Sequence, residues 1–305
     1  MSQTTTATAG FLPPPVAAAP SSKPSGSIAR IVHELWDARD LVMQFTRRDV
    51  TVRYAQAVMG FAWALFMPVL IVGAGLIFRV VVSNVSKTQS EMSDVGSLLV
   101  KSLPWAFFSA ALSTATQSVL AYANLIGKVK FPREALPIAS VAAQGVDLVI
   151  GALFVAVVLP FLGVSASWSL LWVPVMLVLL VAFTIGCSLL LSCANLLYRD
   201  IKYIVQVVLQ FGVFATPVFF APELLPLRMR TVMLRLPLTP YIQGLDVCVT
   251  RGHNLLHALA VPTSRGPAVV WSPWMLAYAV LLPLLTVGVG LRVFRRASAR
   301  FAEMA

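Results

Sequence analysis

LPIASVAAQGVDLVIGALFVAVVLPFL, running from Leu136 to Leu162, contains a single charge, Asp147. A helix crossing the hydrocarbon of a bilayer needs about 20 mostly apolar residues, and this stretch exceeds that. Similar runs lie on either side. The sequence predicts six spans: Phe61–Val82, Leu98–Leu120, Leu136–Leu162, Leu170–Ser192, Ile201–Phe220 and Val270–Leu291. The second is interrupted by Lys101 and Pro104. The whole composition agrees: 58% of the 305 residues are hydrophobic and 11% are charged. Soluble domains carry about 45–50% apolar and about 25% charged residues. One larger core cannot absorb the difference, because soluble cores stop growing near this length.

The formal charge of +11 suggests nucleic acid only if the spans are ignored. Arg and Lys cluster between the apolar runs, where they read as orientation signals and headgroup contacts. An even number of spans puts both termini on one side. With the termini in the cytoplasm, the inner segments hold Arg30, Arg39, Arg47, Arg48, Arg53, Lys128, Lys130, Arg133, Arg199, Lys202, Arg292, Arg295, Arg296 and Arg300. One outer stretch, Ala221 to Val269, departs from the pattern with Arg228, Arg230, Arg235, Arg251 and Arg265. Its prolines predict short re-entrant helices, and irregular backbone at that depth must be buried in protein or line a cavity.

The fold class expected is therefore an all-α integral membrane protein. It has six transmembrane helices, an N-terminal amphipathic interface helix, and short re-entrant helices before the last span. Residues 1–27 read as a disordered tail, since Thr, Ala, Pro and Ser dominate there and no signal-peptide pattern appears. Residues 28–58 read as the interface helix, with Ile28, Ile31, Val32, Leu35, Trp36, Val42, Met43 and Phe45 at roughly helical spacing. Residues 59–292 form the six-helix domain, and 293–305 a basic cytoplasmic tail.

Catalytic signatures are missing from the sequence. It contains no GxxxxGK[ST] phosphate loop, no GxSxG and no HExxH. His33, His253 and His257 are isolated, and Cys187, Cys193 and Cys248 lack metal or disulfide spacing. Such a chain cannot hydrolyse ATP by itself. Asp147 and Lys101 are the clearest charges within the spans. They make a thin proton relay, and Asp147 reads as a structural partner for a polar group on a neighbouring helix.

Two short inner loops carry more than orienting charge. They are Asn124-Leu-Ile-Gly-Lys128-Val-Lys130-Phe131-Pro132-Arg133-Glu134 and Asn195-Leu-Leu-Tyr198-Arg199-Asp200-Ile-Lys202. An aromatic beside arginine is a composition typical of protein docking sites. These loops, the block Arg48-Asp49-Val-Thr-Val-Arg53-Tyr54-Ala-Gln56, the segment Gly60-Phe-Ala-Trp63 through Pro68, and Pro137 and Pro217 resemble the ABC-2 type permeases that export O-antigen, capsule, teichoic acid or related glycans. The resemblance covers nearly the whole chain from about Leu35. It departs at Thr239-Pro240, where the family often has Asn-Pro, and in the longer N-terminal tail.

The resemblance implies a transport subunit of the bacterial inner membrane that pairs with a second copy of itself. Two cytoplasmic ATPase subunits would dock beneath and bind the ATP and magnesium, while this chain holds no cofactor. Lys128, Lys130, Phe131, Pro132, Arg133, Glu134, Tyr198, Arg199 and Asp200 would contact the ATPase. Arg48, Arg53 and Tyr54 would stand at the inner entrance, near the pyrophosphate of a lipid-linked glycan. Trp63, Phe66 and Trp105 would line the channel, where aromatic faces suit sugar rings. Three other readings fit the residues alone: a permease for a drug or small lipid, an ion-coupled carrier using Asp147, and a membrane transferase using Asp40 or Asp49.

Overall fold

The computed structural model describes residues 28–54, 66, 69–70, 72–77, 93–122, 131–263 and 266–301. Most of the first expected span, Trp63, Lys128, Lys130 and the tail over 1–27 lie outside the described residues. The described chain is mostly helical: α1 Ile28–Asp37, α2 Arg39–Tyr54, α3 Ser93–Ala121, α4 Ala135–Val158, α5 Trp172–Leu197, α6 Ile201–Ala215, α7 Leu227–Arg235, α8 Thr239–Thr250 and α9 Pro273–Phe301. Among the described residues, four segments are long and apolar enough to cross a membrane: Val95–Ala121, Ala135–Leu162, Trp168–Leu197 and Pro273–Ala297. Helices suit that role because hydrocarbon offers no partner to a backbone N–H or C=O. Their outward faces are apolar. Val149, Leu153 and Val157 on α4 and Leu281, Leu284 and Leu285 on α9 are all exposed. Apolar surface on that scale needs lipid or protein to cover it.

Local chemistry sets the helix ends. The chain enters α4 through a turn in which the Ala135 and Leu136 N–H groups donate to the carbonyls of Pro132 and Arg133. Pro137 sits in the first turn, where its missing N–H costs nothing. Helix α6 stops at Ala215 because Thr216 precedes Pro217 and takes an extended conformation (ψ 160°). Its 15 residues span about 22 Å, short of a full crossing and of the end at Phe220 that hydropathy predicts.

The described chain keeps the expected mostly helical architecture, with one short β element among the described residues. An antiparallel hairpin, β1 Leu259–Thr263 and β2 Gly266–Trp271, fills the region before the last long helix. Val270 and Trp271, expected as the start of the sixth span, are buried residues of β2. Helix α9 starts only at Pro273, the position proline favours. At its other end α9 continues unbroken to Phe301, through the segment read as a basic tail. Of the segment 28–58 expected as one interface helix, residues 28–54 form two helices, α1 and α2, meeting at Ala38, and 55–58 lie outside the described residues.

Helix α5 lies at the centre, packed against α3, α4 and α9. It approaches α9 so closely that a methyl group at Gly186 would lie 2.3 Å from Thr286 Oγ1 and 2.7 Å from its backbone carbon. Small residues permit such contact where no hydrophobic force drives helices together. Asn195, fully buried near the end of α5, donates to the Thr116 carbonyl at 3.0 Å and accepts from the Lys202 N–H at 3.2 Å. One side chain thereby fixes α3, α5 and α6 together.

The α4–α5 connection, α7, α8, the hairpin and the start of α9 gather at the opposite end. There Ser169 Oγ donates to the Gly252 carbonyl at 2.7 Å and Trp172 Nε1 to Asn254 Oδ1 at 3.0 Å. Helix α8 is buried along nearly its whole length. Its Asp246 faces Lys101 of α3 at 3.1 Å, with side chains 0% and 2% exposed. Lys101 therefore does not interrupt α3. It finds its counter-ion inside the protein, as a charge within a span must.

A lone buried charge costs more than the pair, so Lys101→Met is expected to lower stability by about 3–5 kcal/mol. Asp246→Leu should do the same, and the double variant should recover most of the loss. Thermal unfolding of the detergent-purified protein reads this out; additive losses in the double variant would contradict a paired role.

Candidate functional site

Helix α2 runs alongside the first half of α4. Phe45 packs on Leu136 and Ala139, Ser140 Oγ donates to Asp49 Oδ2 at 3.4 Å, and Arg53 reaches Gln144 and Asp147. These contacts recur about every four residues on both helices, so one face of α2 follows one face of α4.

The contacts build two polar clusters. In the first, the Tyr122 hydroxyl donates to Asp49, and the Arg48 guanidinium lies 4.9 Å from the centre of the Tyr122 ring. In the second, Arg53 Nη1 donates to Gln144 Oε1 at 3.0 Å and to Asp147 Oδ2 at 2.7 Å, and the Tyr54 hydroxyl donates to Asp147 Oδ1. Burial raises the Tyr54 phenol to about 12, and its bond to Asp147 and the charge there add to the shift. The phenol stays protonated and acts as a donor. Asp147 thus has its polar partners on a neighbouring helix, on α2 rather than on another span.

The second cluster opens onto a cavity of about 980 Å³. Arg53, Tyr54, Gln144 and Asp147 form its charged wall. The rest of the lining includes Trp105 of α3, Gln206, Gln210 and Phe214 of α6, and Phe219, with Leu70 and Ala74. Gly212 leaves room for the Trp105 ring: a methyl group there would lie 2.9 Å from the indole. Beyond Trp105 an aromatic row continues inward. Phe108 stacks on Phe183 at 5.8 Å, and Phe183 on Tyr241 at 5.4 Å.

Of the residues expected at the entrance, Arg53 and Tyr54 line this cavity and Arg48 does not. Of those expected in the channel, Trp105 lines it, while Phe66 is exposed and not part of this wall. Gln144, Gln206 and Gln210 lie on the wall without having been expected there. Their signal was available, since a glutamine inside an apolar run needs a partner or water.

The two inner loops differ. Tyr198, Arg199 and Asp200 are exposed at the turn between α5 and α6. In the first loop Phe131 packs 5.7 Å from Phe45, Pro132 and Arg133 are half-buried, and Glu134 is 4% exposed. Glu134 accepts from Arg295 Nε of α9 at 3.0 Å, and the same guanidinium bonds Glu34 of α1 through Nη2. Glu134 is therefore an internal residue that anchors its turn, and Phe131 rests against α2.

These features describe a multi-pass membrane protein with a polar, aromatic-walled cavity and an exposed turn at the end of its bundle. A family model described as ABC-2 type transporter matches residues 40–249, and the chain belongs to that family. The O-antigen export system permease protein RfbA of Klebsiella pneumoniae is 26% identical over 266 residues, covering 87% of this chain and 95% of that protein. A second Klebsiella pneumoniae protein of the same name is 28% identical over 208 residues, covering 67% and 77%. An O-antigen export system permease protein RfbA of Myxococcus xanthus is 27% identical over 191 residues, covering 63% and 72%.

Because Glu134 is nearly buried, removing its partner should matter more than removing the half-exposed Glu34. Arg295→Met is expected to destabilise the protein by about 3 kcal/mol, and Glu34→Gln by about 1 kcal/mol or less. Thermal unfolding should rank them in that order. Limited proteolysis should cut α1–α2 faster in Arg295→Met, and unchanged protection would mean that the triad does not hold α1.

Proposed function

We propose that this chain is the membrane-spanning permease subunit of an ATP-driven exporter of a lipid-linked polysaccharide. The observation that carries the reading is the cavity: an Arg53–Asp147–Tyr54 wall, three glutamines and Trp105 inside an otherwise apolar bundle. A drug-sized apolar cargo needs few polar groups. A glycan presents hydroxyls for glutamines and apolar C–H faces for an indole, and its lipid pyrophosphate suits arginine. The named relatives, the first of which aligns over 87% of this chain, supply the cargo class.

In this reading the first expected span and the stretch from α6 to Phe220, whose helix alone is short of a full crossing, complete a six-span subunit, and a second copy closes the cavity into a path. The termini face the cytoplasm, the membrane is the bacterial inner membrane, and α1 and α2 sit at its inner surface. Two copies of a separate ATPase dock at the exposed Tyr198-Arg199-Asp200 turn and at the Lys128–Arg133 segment. Glu134 positions that segment through Arg295 and does not itself touch the ATPase. ATP binding favours one state of the pair and cargo another, and coupling is the difference between those affinities.

Co-reconstitution with the ATPase encoded beside it tests both halves. Arg53→Ala is expected to lower glycolipid-stimulated ATP turnover about tenfold, while ATPase association stays normal and Arg53→Lys keeps most of the turnover. Unchanged turnover in the alanine variant removes the entrance role. The combined variant Tyr198→Ala with Arg199→Ala should weaken ATPase binding about tenfold or more, measured by co-elution and titration. Full binding there, or transport driven by an ion gradient without any ATPase, contradicts the reading.

A further inference from the structure

The outer arginines that break the orientation pattern do not share one environment. Arg251 Nη2 pairs with Glu223 Oε1 at 2.5 Å, and Arg265 lies outside the described residues. Arg228, Arg230 and Arg235 belong to α7, a helix of 9 residues with no acidic side chain. Successive side chains turn by about 100° around a helix. Met233 and Leu234 form the buried face, and the half-buried Arg230 projects between them. The opposite face shows Arg228, Val232 and Arg235, flanked by Leu227 and Met229, all five exposed. Two turns, roughly 10 Å, separate the two exposed arginines. Among the described residues no ion pair involves either of them.

The depth of α7 follows from its neighbours. The Tyr278 hydroxyl donates to the Arg235 carbonyl at 3.3 Å, and Tyr278 packs against Trp274 with ring centres 6.1 Å apart. Trp168, at the same end of the bundle, is 89% exposed and Trp274 is 47% exposed. Exposed Trp and Tyr at the ends of apolar spans mark the headgroup level of a bilayer. Helix α7 is tied to that belt, at the end of the bundle opposite α1 and α2.

We propose that α7 is a lipid anchor: Arg228 and Arg235 bind the phosphates of anionic phospholipids in the leaflet opposite α1 and α2, while Leu227, Met229 and Val232 enter the acyl boundary. Guanidinium forks fit phosphate oxygens, and arginine stems lie along apolar surface while their heads reach polar groups. The apolar flank favours a lipid over a free phosphate, because only the lipid brings hydrocarbon to cover it. The anchor fastens α7 and, through the short Leu236–Leu238 link, the start of α8. It rests on the bundle spanning a bilayer and not on the cargo, so a failed transport assay leaves it standing.

The test is thermal unfolding of the full-length chain in detergent micelles containing either dioleoylphosphatidylglycerol or dioleoylphosphatidylcholine. The glycerol lipid is expected to raise the wild-type Tm by several degrees over the choline lipid. The double variant R228Q/R235Q should match wild type in the choline lipid, which shows that it folds, and lose at least half of that rise. R228K/R235K should keep most of it, and native mass spectrometry should count fewer retained glycerol lipids on the glutamine variant. A full rise in R228Q/R235Q, or no rise in wild type, overturns the proposal. Protection by inorganic pyrophosphate that R228Q/R235Q abolishes, without a matching lipid effect, would also overturn it by assigning the arginines to a free phosphate ligand.

Discussion

A charge carried within the hydrocarbon depth of a helix bundle must find its counter-charge inside the protein, because acyl chains offer none. In this molecule that requirement fastens the parts that do not cross. Lys101 on α3 holds the short helix α8 through Asp246. Asp147 on α4 holds the end of α2 through Arg53 and Tyr54. Arg295 on α9 holds both α1 and the turn before α4 through Glu34 and Glu134. Each link joins segments distant in sequence, and each attaches a peripheral element to a long helix. Apolar packing between α3, α4, α5 and α9 makes the bundle, and these ion pairs decide what is fixed to it.

How much of this the sequence discloses depends on the range of the interaction. Long helices are legible because hydropathy accumulates within a single run, as in Leu136–Leu162. The hairpin is hidden because Val270 and Trp271 adjoin an apolar run and read as its beginning. The contrary signs were local: Pro273, and the Gly266-Pro267 pair just ahead of the run. The short α6 is likewise marked by Pro217. The pairs Arg53–Asp147 and Lys101–Asp246 are a different matter. Composition says that Asp147 and Lys101 need partners, and no periodicity names a residue 94 positions away in one case and 145 in the other.

The candidate site divides along the same line. Motif residues point to two functional regions, and the structure sorts them by accessibility. Tyr198, Arg199 and Asp200 face outward, whereas Glu134 faces inward and secures the turn that carries Phe131 to Arg133. The motif FPRE therefore combines residues at the surface with one that orients them. Around the cavity, the residues with no motif, Gln144, Gln206 and Gln210, complete the polar wall begun by Arg53 and Asp147.

Helix α9, with 29 residues, measures about 43 Å, against roughly 30 Å of hydrocarbon. About two and a half turns therefore overhang the bilayer, and Arg295 rides on that overhang. Where Gly186 meets Thr286 the two helices touch closely, which makes that contact a natural pivot for α9 against α5. A tilt about that pivot sweeps the overhang sideways like the short arm of a crank. Whatever grips Arg295 is then swept along with it, and a small rocking motion inside the membrane becomes a larger one at its surface.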